Sequence, residues 1–289
     1  MKLGVSSYSF KRLVDSGELT QMEMIEKAAD MGFDGIEFSG IEVPEDKNAE
    51  TVAEEVRDKC EKTGLEPINY TIAADFINSE GVEAEVERLY QEVEIARILG
   101  VSGMRHDATT GFPPDYDKPR GFEDALPLLV KGCKGVTEYA AKYDIKTMVE
   151  NHGFFCQDSD RVEKLVNGVN HSNFGVLIDI GNFLCVDEAP GQAVGRLMPY
   201  VSHIHIKDFH IKPGTAVNPG TGWFQSRGGN YLRGAIIGHG NVPVMQCLKL
   251  IKKHNYNSYL SIEFEGMEAP LTGVKVGLEN LKKMLSKIE

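Results

Sequence analysis

Phe174-Gly-Val-Leu-Ile-Asp-Ile-Gly-Asn182 is an apolar run that closes on a carboxylate and then turns. It shows no strict alternation of polar and apolar residues, which suits a strand covered on both faces, as in a parallel sheet. Asp179 at its end is costly to bury unless it caps a helix, pairs or holds a metal ion. Seven other short runs share this form, at residues 3–7, 35–38, 67–71, 103–105, 146–150, 203–206 and 259–263.

Helical patterns fill the gaps between these runs. Thr20-Gln-Met-Glu23 reads as a capping box, and Met22, Ile25, Ala28 and Met31 follow at helical spacing. Further helices are predicted near residues 49–63, 82–99, 122–143, 159–166, 191–198, 242–254 and 272–288. Gly32, Gly64 and Gly100 stand where a left-handed cap wants no β-carbon. Strand and helix alternating without a break imply a parallel sheet. Eight units in 289 residues favour a closed (βα)8 TIM barrel over an open doubly wound sheet. With no linker or low-complexity segment, residues 1–289 are expected to form one domain. One connection is unusual: residues 209–241, between the seventh and eighth strands, are glycine-rich and lack helical period. They predict a long loop rising from the face where barrel active sites sit.

Composition narrows the partners. The formal net charge is −12, from 43 acidic and 31 basic side chains, a field that repels nucleic acid. No apolar stretch is long enough to cross a bilayer. The five cysteines (Cys60, Cys133, Cys156, Cys185 and Cys247) are scattered and odd in number. They form no metal knuckle or disulfide framework, and with no signal peptide at the start they point to the reducing cytoplasm.

Polar residues gather at the ends of strands five to eight. These are Glu150-Asn-His152, Asp179-Ile-Gly-Asn182, His203-Ile-His-Ile-Lys-Asp208 and Ile262-Glu-Phe-Glu265. A lone carboxylate after a strand is ordinarily an N-cap, and a lone buried histidine a satisfied core residue. Four consecutive strands doing this at one end instead describe a ring of three carboxylates and an imidazole. Such hard donors suit one divalent ion, Mn²⁺ first, with Mg²⁺, Co²⁺ and Zn²⁺ as the other ions of that chemistry.

These motifs, with Gly4-Val-Ser-Ser-Tyr-Ser-Phe10 and Gly32-Phe-Asp-Gly-Ile-Glu37, resemble the xylose-isomerase-like barrels along the whole chain. That superfamily holds sugar phosphate isomerases and epimerases and the family 2 AP endonucleases. The resemblance implies metal ligands at Glu150, Asp179, His205 and Glu263, with Glu265 the competing choice on the last strand. It implies a sugar isomerase or epimerase that takes a proton from carbon beside a carbonyl through a metal-stabilised enediolate. Glu150 and Glu263 would act as base and acid, with His152 as an alternative.

The sequence departs from the epimerase pattern at Asn182, where a histidine is usual, and in the long connection carrying Trp223, Arg227, Arg233 and His239. That connection resembles the catalytic subunits of C-glycoside deglycosidases, lyases acting on 3-oxo-glycosides with a small β-rich partner subunit. Trp223, Arg227, Arg233, His239, His106 and Glu37 are therefore the expected substrate contacts, with an ion-pair role at the barrel rim the competing use of His106 and Glu37. Arg227 and Arg233 are read as a phosphate grip, or Trp223 and Tyr231 as walls for an aromatic aglycone. The expected partners are a small sugar or glycoside and a homo-oligomer or hetero-oligomer, with no nucleic acid and no membrane. A DNA-repair nuclease and a barrel that only binds sugar are the other classes weighed. The acidic charge argues against the first and the intact ligand ring against the second.

Overall fold

The computed structural model describes residues 1–288; residue 289 of the expected domain lies outside the described residues. Eight parallel strands close into a barrel: β1 (Lys2–Ser6), β2 (Gly35–Ser39), β3 (Glu66–Ile72), β4 (Gly103–His106), β5 (Lys146–Glu150), β6 (Phe174–Asp179), β7 (Val201–Ile206) and β11 (Tyr259–Ile262). All eight expected strands form, with ends shifted by one or two residues. Every residue of β6 is buried, as its unbroken apolar run requires.

Nine helices, counted among the described residues, include those that wrap the barrel: α1 (Lys11–Asp15), α2 (Gln21–Asp30), α3 (Ala49–Thr63), α4 (Val82–Leu99), α5 (Phe122–Ala140), α6 (Ser159–Val169), α7 (Pro190–Leu197), α8 (Val244–Lys253) and α9 (Pro270–Leu285). The capping box at Thr20 is present: the Glu23 amide donates to Thr20 Oγ1 at 3.2 Å, and the Thr20 amide to Glu23 Oε2 at 2.8 Å. Among the described residues, no helix is long and apolar enough to cross a membrane.

Parallel pairing decides which polar residues meet. Asp179 lies beside His205, His205 beside Ser261, and Glu37 beside Asn69. Residues opposite one another on neighbouring strands point to the same face, so these side chains converge inside the barrel.

The connection after β7 is not the structureless loop expected. It folds into an antiparallel sheet of β8 (Asp208–Lys212), β10 (Tyr231–Ala235) and β9 (Phe224–Gln225), in that spatial order. Phe209 and Leu232 of this sheet pack with Cys185, which follows β6. Gly234 touches the backbone beside Gly266 so closely that a β-carbon would stand 2.3 Å from the Glu265 carbonyl oxygen. Asp208 fastens the far end of the connection. Its buried carboxylate accepts hydrogen bonds from the amides of Phe209, Gly238, Gly240 and Val242 at 2.8–3.0 Å. Asp208→Ala strands these donors, so stability measured by urea denaturation should fall on the order of 3 kcal/mol. A loss below about 1 kcal/mol would show that the connection does not depend on this anchor.

Candidate metal centre

His205 is the centre of the barrel mouth. Its Nε2 lies 2.6 Å from Glu37 Oε1. Glu37 is wholly buried and also accepts from Asn69 Nδ2 at 2.7 Å, with His203 Nε2 at 3.4 Å from its second oxygen. A carboxylate bound to Nε2 keeps a proton there, so Nδ1 is the ring nitrogen that faces the centre. Nδ1 faces Glu263 Oε2 at 3.7 Å, Glu150 Oε1 at 3.8 Å and Asp179 Oδ2 at 3.9 Å. One donor atom from each of these four residues falls within 4.8 Å of all the others.

Each carboxylate is aimed by its neighbours. Asp179 Oδ1 accepts from the amides of Gly181 and Asn182 at 2.7 and 2.9 Å, which turns Oδ2 toward the centre. Asn151 clasps the Asp179 backbone at both ends, through 2.9 Å bonds to its amide and carbonyl. Asn182, at the position where the sequence departs from the epimerase pattern, donates to Glu150 Oε1 at 3.0 Å.

Two cations flank the ring. Arg105 Nη2 stands 2.6 Å from Glu150 Oε2 and 2.9 Å from Asp107 Oδ1. Lys207 Nζ contacts Glu263, and lies 3.2 Å from Asp179 Oδ2 and 3.4 Å from Glu265 Oε1. Burial would raise the Glu263 carboxyl, but Lys207 and His205 hold it well below the usual carboxylate range. Asp179 goes the other way. Burial, with Glu263 and Glu150 nearby, pushes it up to about 6 despite Lys207 and His205. Glu263, rather than Glu265, joins the ring: Glu265 sits farther out, on Lys207.

A cavity of about 170 Å³ opens over this ring. His152 lines it with a side chain half exposed, its Nδ1 3.0 Å from Asp107 Oδ1. Burial lowers the imidazole pKa, but the bond to Asp107 and the charges of Glu150 and Asp107 together outweigh it, and the net direction is upward. Tyr8, Ser39, Thr71, Arg105 and Lys207 line the same cavity and were not among the expected site residues. The pleat held the signal for two of them. Arg105 precedes the outward-facing His106, and Lys207 lies two residues beyond His205, on the same face.

The expected substrate contacts are placed elsewhere. Glu37 lies beneath His205 with no exposed surface, engaged by His205 and Asn69, so it is cut off from a bound substrate. His106 is turned out of the barrel, fully buried against Phe76 and Phe174, and burial pushes its pKa down to about 4. Arg227 makes a two-armed ion pair with Asp158, ahead of α6, and also bonds the Phe154 carbonyl. Trp223 sits under Lys212 and Arg233, whose charges lie 5.5 and 5.3 Å from its ring. Arg233 also points at Met267 Sδ, and His239 is exposed. These four do not line the cavity above the ring. The physical reason is that the connection forms its own sheet, which uses its aromatic and basic side chains to hold itself against neighbouring elements.

Residues 25–284 match the family described as xylose isomerase-like TIM barrel. The chain belongs to that family. An inosose dehydratase from Clostridium botulinum (strain Eklund 17B / Type B) is 23% identical over 266 residues, spanning 86% of this chain and 83% of its own. Two solved structures share the fold at 16% identity. A xylose isomerase-like TIM barrel protein from Mycobacterium smegmatis, in complex with magnesium, has a TM-score of 0.74 and covers 100% of this chain and 98% of its own. The apo form of 3-keto-D-glucoside 4-epimerase from E. coli has a TM-score of 0.71, with 98% and 99% covered.

The donors of this xylose isomerase-like barrel fit a divalent ion. His205 Nδ1 and Asp179 Oδ2 are both buried without a hydrogen-bond partner, and both face the same point. Three carboxylates and one imidazole match a hard or borderline cation. Glu37 completes the arrangement as a carboxylate that orients His205 from behind, as carboxylates do for histidines that hold metal ions. Glu37→Gln keeps the size and removes the charge. Affinity for Mn²⁺, titrated by calorimetry, should fall by roughly 10- to 100-fold with the four ligands intact. Unchanged affinity would mean that the contact behind His205 plays no part in holding an ion.

Proposed function

We propose that this protein is a divalent-metal-dependent enzyme that removes the proton beside the carbonyl of a sugar-like substrate, as an isomerase or epimerase. The observation that carries this reading is the Nδ1 of His205, buried without a hydrogen-bond partner and facing three carboxylates at the floor of a solvent-accessible cavity. Glu150, Asp179, His205 and Glu263 would hold the ion, with Mn²⁺ the first candidate. When bound, it supplies Lewis-acid polarisation of the carbonyl and stabilises the enediolate charge.

The protein groups divide the remaining work. Proton transfer needs a group that reaches the carbon and is free to take the proton. Glu150 and Glu263 flank the cavity, but Arg105 occupies one oxygen of the first and Lys207 holds the second. His152 differs. Asp107 orients its Nδ1, its other ring nitrogen remains for the substrate, and Arg105 in turn anchors Asp107. His152 is thus the strongest candidate for the base, with Glu150 and Glu263 as ligands that also shape proton return.

A second reading, a lyase acting on 3-oxo-glycosides, draws support from Lys207. Its ammonium lines the cavity, where its positive charge would stabilise a departing oxygen, the one step that elimination adds to the same enediolate. The relatives named as a dehydratase and as a 3-keto-glucoside epimerase agree with both readings. A small β-rich partner subunit belongs to this second reading alone.

Solvent-deuterium exchange at the carbon beside the carbonyl tests the chemistry. Chelation should stop wash-in while circular dichroism stays unchanged, and readdition of Mn²⁺ should restore it. His152→Gln should lower the exchange rate by at least about a hundredfold, the low end for losing a general base. Exchange at the parent rate in metal-free protein would overturn the metal-dependent reading. Full exchange in His152→Gln alongside loss in Glu150→Gln and Glu263→Gln would return the base role to the glutamates.

A further inference from the structure

The cavity over the metal centre has a neighbour. A second chamber of about 110 Å³ lies between the segments that follow β1 and β2, and the two share Tyr8 and Ser39 as common wall. The metal cavity alone, about 170 Å³, falls below the roughly 300 Å³ at which small-molecule pockets usually begin. Only together with the second chamber does the site approach that size.

The lining says what the added room would hold. Val14 and Met24 give it an apolar side, while Ser7, Gln21 and Lys11 give it polar groups. Gln21 accepts from the Glu42 amide through Oε1 at 2.8 Å, which leaves its NH₂ end as a donor for a ligand. Tyr8 is 40% exposed at the junction, an amphipathic ring of the kind that packs against the C–H face of a sugar while its hydroxyl stays in water. Mixed walls of this sort suit a neutral hydroxylated ring.

They do not suit a phosphate. The chamber's one cation among the described residues, Lys11, is paired with Asp15 at 2.7 Å. In the metal cavity Arg105 and Lys207 are each committed to carboxylates. Of the arginines expected to grip a phosphate, Arg227 is committed to Asp158, and Arg233, whose Nε has no partner, lies over Trp223 and lines neither chamber. A dianion in either chamber would have to draw Lys11, Arg105 or Lys207 away from its carboxylate.

We infer that the second chamber is a subsite for a neutral glycosyl or polyol moiety, so the substrate is an unphosphorylated keto-sugar larger than one ring. This rests on the proposed metal-dependent carbonyl chemistry and names its substrate class. Binding to the full-length, Mn²⁺-loaded protein tests it, with metal stoichiometry measured first on the same sample. The probes are D-fructose, D-fructose 6-phosphate, and the keto-disaccharides isomaltulose, turanose and lactulose, each titrated by calorimetry.

At least one disaccharide should bind tenfold or more tightly than fructose, and fructose 6-phosphate should gain nothing over fructose. Val14→Phe, which intrudes on the second chamber, should close the gap between disaccharide and fructose, and so should Tyr8→Ala. Equal affinities for fructose and all three disaccharides, a preference for the phosphate, or no binding by any probe would each overturn the subsite. The wild-type ratio decides this even where a variant fails to fold. A protein that takes up no Mn²⁺ but keeps the disaccharide preference would instead refute the metal chemistry and leave the subsite standing.

Discussion

Three carboxylates, two buried and the third partly so, facing one imidazole nitrogen are the constraint on which the rest of this molecule depends. Donor atoms from Glu150, Asp179, His205 and Glu263 lie within 4.8 Å of one another. At that separation each pair of like charges costs on the order of 3 kcal/mol, even with strong dielectric screening. An arrangement of that kind persists in a fold only where something cationic answers it. Arg105 and Lys207 answer it from the two sides, and a divalent ion at the centre would answer it directly. The cost also explains the opposite behaviour of two neighbouring carboxyls. Glu263, gripped by Lys207 and His205, stays ionised, while Asp179, deeper and facing the other two, is pushed up to about 6.

Barrel closure places these groups without help from the helices. Parallel register sets Asp179 beside His205 and carries the sequence on to Ser261 and Glu263 across the last seam. The same pleat stacks a second polar layer beneath, in which Glu37, Asn69 and His203 hold His205 in one orientation. Residues of that layer are buried beneath His205, so they would act on a substrate only through it. The antiparallel sheet after β7 serves a different end. Its arginine ties the turn between β9 and β10 to the loop that carries His152, through Asp158 and the Phe154 carbonyl. Phe154 is held at φ +65°, an uncommon conformation for a residue with a side chain.

Much of this was legible in the sequence. Eight apolar runs, each covered on both faces, marked the barrel strands, and charged ends on four consecutive strands marked the cluster of carboxylates and imidazole that could hold a metal ion. What stayed hidden depended on direction rather than composition. His106 and Arg105 are adjacent and both polar, yet only the pleat decides that the arginine enters the cavity and the histidine leaves it. Glu37 is a strand carboxylate as Glu150 is, but it lies two residues before the end of β2, one layer lower, where a histidine covers it. The glycine-rich connection carried no period because its strands are short and separated by turns, and its pairing is with its own distant residues. Its arginines looked free because their partners, Asp158 and Met267, come from other elements of the chain.

Crystals grown with Mn²⁺ and measured at a wavelength where manganese scatters anomalously provide the most direct test of the central claim. The account requires one anomalous peak per chain, in coordinating contact with His205 Nδ1 and with the carboxylates of Glu150, Asp179 and Glu263. Glu37 should remain on Nε2 of the same ring. A peak located instead among Glu37, His203 and His205, or no peak inside the barrel at all, would contradict it.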